Sequence, residues 1–184
     1  DASGYFNIPL FTDFSARPPV GILDWYTVLM GGFALLTLAG HGALFLAWKC
    51  EGPVQSRAHR GGFSLWLTIL ALWAVVTVAT AKVRPEVFQG WKAQPLAWAA
   101  TAVYALGLLA VLFGLRRGRH LVAFLGSSAF ILGMLAATAA SVWPVMLRST
   151  LQPDWSLTAF NSAVDPSGLR KGLAWWLLAF PLVI

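Results

Sequence analysis

Residues 120–147 read HLVAFLGSSAFILGMLAATAASVWPVML, a run without a single Asp, Glu, Lys or Arg. A helix rises about 1.5 Å per residue, so about 20 apolar residues cross a hydrocarbon core roughly 30 Å thick. Blocks 25–48, 63–81 and 96–115 are equally free of these charges. An aqueous surface would have interrupted all four. A lipid-spanning β-strand alternates apolar and polar positions over about ten residues, whereas these blocks are continuously apolar. The fold class that follows is all-α, a polytopic transmembrane helix bundle.

The rest of the 184-residue chain agrees, being 58% hydrophobic and 11% charged with mean hydropathy +0.70. A soluble domain carries roughly 25% charged residues, so that class is excluded. Aromatic residues make up 14%, which suits interfacial belts and packed spans. The net charge of +6 would suggest nucleic acid in a soluble chain, but the bases flank apolar spans, so no nucleic-acid partner is expected. Cys50 is the only cysteine, which excludes an internal disulfide, a cysteine-based zinc site and an iron–sulfur cluster held by this chain.

The sequence predicts one membrane domain over 1–184, with spans near 23–48, 63–82, 96–115 and 120–143 and the start of a fifth at 172–184. Residues 1–22, with Pro9, Pro18 and Pro19, read as an extended surface segment. Asp24 is placed to cap the first span, with Trp25, Tyr26, Trp48 and Lys49 at its interfaces. The stretches 49–62 and 82–95 read as polar loops, Arg116 to His120 as a tight turn, and 144–171 as the longest loop. Asp1 is no natural initiator, and 172–184 would span only about 20 Å as helix, so a fragment with a shortened last span is expected. Loops 49–62 and 116–120 carry Lys49, Arg57, Arg60, Arg116, Arg117 and Arg119 against Glu51 alone. The positive-inside rule makes them cytoplasmic and puts the N-terminal segment, 82–95 and 144–171 on the opposite face.

Few residues offer chemistry. His41 stands mid-span in GGFALLTLAGHGALFLAW, where an ionisable side chain is expensive. It reads either as a haem or metal ligand or as a histidine hydrogen-bonded to a neighbouring helix, with Gly40 and Gly42 allowing close approach. His59 and His120 fall at loop or span-edge positions. Lys49 and Glu51 flank Cys50 at a membrane exit, readable as a proton or quinone contact or as an interfacial anchor. Arg116, Arg117 and Arg119 read as topology determinants or as contacts to anionic lipid head groups. Ala129, Gly133, Ala137 and Ser141 recur every four residues, a small-residue stripe that lets helices approach closely, inside the bundle or against another subunit. No catalytic triad, phosphate-cradling loop or zinc-ligand spacing occurs, so neither catalytic nor metal-ligating residues are expected.

Several stretches carry a resemblance: GILDWYTVLMG (21–31), HGALFLAWKCEG (41–52) followed by QSRA, WPVMLRSTLQPDWSLTAFNSA (143–163) and GLRKGLAWW (168–176). Together they resemble subunit II of cytochrome bd-type quinol oxidases, including the cyanide-insensitive branch. Phe45 stands where that family usually has Tyr, and Cys50 where it has Thr. The resemblance implies the C-terminal half of a subunit about twice this length, in the bacterial cytoplasmic (inner) membrane. It also implies a complex that oxidises quinol and reduces dioxygen to water, with haem b and haem d in the partner subunit I. Subunit II would assist assembly, and some members hold a structural quinone. No catalytic residue transfers to this chain. A different class, half of a secondary transporter or channel, would need polar or broken helices at the membrane midplane, where only His41 and a few Ser and Thr occur.

Overall fold

The computed structural model describes residues 9–17, 21–149 and 152–183; residues 1–8, Pro18, Pro19 and Ile184, part of the readings above, lie outside the described residues. The chain divides into two compact units, residues 1–142 and 143–184. The first holds α1 (Trp25–Lys49), α2 (Gly52–Val83), α3 (Pro85–Ala93), α4 (Pro95–Arg117) and α5 (His120–Val142). All but α3 are long and apolar enough to cross a membrane, and the protein is an all-α bundle.

Helix α1 starts at a capping box: the Asp24 carboxylate accepts from the Tyr26 and Thr27 amides at 2.7 and 2.9 Å, while Thr27 Oγ1 accepts from the Asp24 amide at 3.1 Å. These bonds satisfy donors that a helix end otherwise leaves open. Tyr26 Oη then meets Thr80 Oγ1 at 3.0 Å, tying the start of α1 to the end of α2.

Two predicted loops are helical. The stretch 49–62 is mostly the beginning of α2, because Pro53 occupies the first turn, where its fixed φ suits a helix and its missing N–H is not needed. Gln55 Nε2 donates to Ala47 O at 3.1 Å, and Gly62 lies against Leu44 and Ala43, so this extension of α2 packs antiparallel to the end of α1. The stretch 82–95 is α3, begun by Pro85 and followed at once by α4, begun by Pro95. Trp91 fastens α3 down by stacking on Trp98 at 4.1 Å and donating from Nε1 to Thr101 Oγ1 at 2.8 Å.

Helices α4 and α5 form the tightest pair. Gly118 ends α4 in the left-handed region (φ 65°), a conformation that glycine adopts without a Cβ clash, and Arg119 N–H closes back on Gly114 O at 2.8 Å. Gly107 and Gly114 on α4 and Gly126 and Gly133 on α5 then let the two backbones touch. The core of the unit joins Phe33 and Leu44 of α1, Trp66, Ile69 and Val76 of α2, Val111 and Leu115 of α4 and Phe130 of α5. Leu35, Leu38, Leu106, Leu109, Leu132 and Leu135 are exposed, as expected of spans whose outer faces meet lipid or another subunit.

The second unit is not the plain loop predicted over 144–171. β1 (Val145–Leu147) pairs antiparallel with β2 (Leu157–Thr158), and α6 spans Pro166–Val183, starting before the predicted Gly172. Asn161 fixes the end of the hairpin, accepting from Thr158 N–H at 2.6 Å and donating to Ser156 O at 3.0 Å. Asp165 precedes α6 and accepts from the hydroxyl and amide of Ser167, which hold its carboxyl below its ordinary range.

Candidate functional site

His41 projects from α1 to α5, with Nδ1 2.7 Å from Ser127 Oγ. Ser127 is fully buried and gives its one proton to Phe124 O at 2.6 Å, so its oxygen accepts and Nδ1 of His41 is the donor. The imidazole stacks on Phe124 at 4.9 Å, Trp48 stacks on the same ring at 5.2 Å, and Lys49 Nζ lies 3.9 Å over Trp48. A continuous column of packed side chains thus runs from mid-span to the membrane face and binds α1 to α5.

The contribution of the polar link can be isolated. A His41→Leu and Ser127→Ala double-mutant cycle should show a coupling of about 0.5–1.5 kcal/mol, in the range of interhelical hydrogen bonds in membranes. Reversible unfolding in mixed micelles measures it; additive effects would mean that the bond holds nothing together.

Ser127 thus engages Nδ1 of His41, and Phe124 covers one face of its ring. Among the described residues no group of three or more His, Cys, Asp or Glu comes together to hold a metal ion.

Lys49 is the last residue of α1, Cys50 its half-buried cap and Glu51 the residue before α2, without a side-chain capping bond. Arg116, Arg117 and Arg119 are exposed at the α4–α5 turn, and the guanidinium groups of Arg117 and Arg119 each lie 5.7 Å from the Phe113 ring. The small-residue stripe is occupied within the chain. Backbone atoms of Ala129 abut Gly107, Gly133 abuts Tyr104 and Ala100, and Ala137 and Ser141 are buried, with the Ser141 carbonyl against Gly90 of α3. Its partners are α4 and α3, so it is not a surface left over for another subunit.

One grouping is invisible in the sequence. His59 on α2 and His120 at the start of α5 meet edge to face, with ring centroids 5.2 Å apart. They were predicted in separate loop and span-edge positions. Only recognising Pro53 as a helix start would have put His59 on a helix running past the turn that holds His120.

A family model described as cytochrome bd terminal oxidase subunit II matches residues 5–184. No curated protein matches the chain.

Proposed function

The chain belongs to the cytochrome bd terminal oxidase subunit II family, and we propose that it is the non-haem scaffold of a complex oxidising quinol and reducing dioxygen to water. The family match over nearly the whole chain carries this reading. In it, haem b and haem d reside in subunit I, and this chain contributes no catalytic residue. It contributes helices that pack closely on one another and present broad apolar faces to subunit I and to lipid. The proposal extends to the cyanide-insensitive branch on the resemblance of residues 21–52 and 143–176. The complex would sit in the bacterial cytoplasmic membrane, with the α1–α2 connection and the α4–α5 turn in the cytoplasm, because the short segments there hold most of the unbalanced bases.

Deleting the subunit from cells that retain subunit I tests the role. Membrane quinol-dependent oxygen uptake by this oxidase should be lost together with the assembled complex. Unchanged uptake, combined with solute flux through liposomes holding this protein alone, would contradict the reading and favour the transporter class.

A further inference from the structure

A scaffold role leaves one cleft unexplained. Between the first turns of α2 and the α4–α5 turn lies a space of about 340 Å³ lined by Gln55, Ser56, His59, Arg60, Gly118 and His120. His59 and His120 touch across it, ring centroids 5.2 Å apart. Arg60 Nε reaches back to Ser56 O at 3.4 Å, which keeps the guanidinium on the α2 face that borders the cleft.

The electrostatics select the ligand's sign. This end of the bundle carries six Lys and Arg residues, Lys49, Arg57, Arg60, Arg116, Arg117 and Arg119, against Glu51 alone. No carboxylate lines the cleft, so a cation would meet imidazoles inside a positive field with nothing to neutralise it. An oxyanion would instead receive charge-assisted hydrogen bonds from Arg60 and the histidines, beside the positively polarised start of α5. The depth narrows the choice further. His59 precedes Phe63, the first residue of the apolar block, by four positions, about 6 Å of helix rise, which is head-group level.

We propose that this cleft binds a phosphate oxyanion, supplied by an anionic phospholipid or as free inorganic phosphate, with His59, His120 and Arg60 as its ligands.

The test uses the full chain purified within its complex and stripped of lipid in detergent. Acylation of histidines by diethyl pyrocarbonate is followed by mass spectrometry while phosphatidylglycerol, phosphatidylcholine or inorganic phosphate is added. Phosphatidylglycerol should protect His59 and His120 together and leave His41 unchanged. Protection by phosphatidylglycerol alone identifies a lipid ligand, and protection by inorganic phosphate as well shows that the free anion suffices. Arg60→Gln should raise the half-protecting concentration roughly tenfold, the loss of one charge-assisted bond, with Arg116→Gln far less affected. The protection experiment uses the unaltered chain, so a misfolded variant does not remove the test. Absence of protection by either anion, equal protection by phosphatidylcholine, or equal weakening by Arg116→Gln would overturn the proposal.

Discussion

Alanine at Gly107 or Gly133 is expected to force α4 and α5 apart and to lower stability by about 1–3 kcal/mol at each position, the usual range for overpacking. A Cβ on Gly107 would stand 2.6 Å from Phe130 N and 2.7 Å from Gly126 O; one on Gly133 would stand 2.6 Å from Tyr104 N and 2.9 Å from Ala100 O. Those neighbours are helix backbone, which cannot rotate away as a side-chain tip can. A helix pair in lipid gains nothing from hiding apolar surface, so its association rests on van der Waals contact that such a separation removes. The two positions act on one interface. Once the first alanine has opened it, the second meets less resistance, and the double variant should fall short of the sum. Gly31→Ala on α1 is the control, since a Cβ there meets nothing within 4 Å. Unfolding in mixed micelles should rank Gly107→Ala and Gly133→Ala far below Gly31→Ala; equal stability of the three would refute the close-packed hairpin.

A comparable loss is expected at Trp66, the largest fully buried side chain, 0% exposed at the centre of the core. It packs edge-on against Phe130 at 5.4 Å and fills the space beside Gly40, where an added Cβ would stand 2.8 Å from Ile69 Cδ1 and 3.1 Å from Trp66 Nε1. Trp66→Ala leaves a void between α1, α2 and α5 and should cost about 3 kcal/mol or more. Trp66→Phe should cost much less. The indole N–H is buried without an acceptor, so exchanging it for an apolar edge removes an unsatisfied donor and offsets part of the lost volume. A Phe variant as unstable as the Ala variant would show that the indole N–H has a partner or that the ring outline alone is decisive.

The four charge-free blocks locate α1, α2, α4 and α5, because in lipid a span must be apolar throughout and helical to satisfy its backbone. What misled was proline. Pro53, Pro85, Pro95 and Pro166 lie in the stretches 49–62, 82–95 and 144–171 expected to be loops, yet each stands at the start of a helix, where proline is favoured. The bundle therefore has longer helices and shorter connections than composition suggests. Asp24 was legible as a cap because the acid directly precedes an apolar run. His41 was legible as a mid-span polar residue, but its partner Ser127 lies 86 positions away, and no local pattern announces such a pair. The same limit hid the meeting of His59 with His120. The stripe from Ala129 to Ser141 announces close packing by its spacing alone, while the identity of the partner helices depends on the turn at Gly118 that folds α4 back along α5.

The central claim is that this chain supports redox chemistry without carrying its cofactors. The most direct test is haem content per polypeptide, measured as pyridine haemochrome on the chain expressed alone and on the complex with subunit I. The account predicts haem b and haem d bands in the complex and none on the chain alone. Haem bound stoichiometrically to the isolated chain would contradict it.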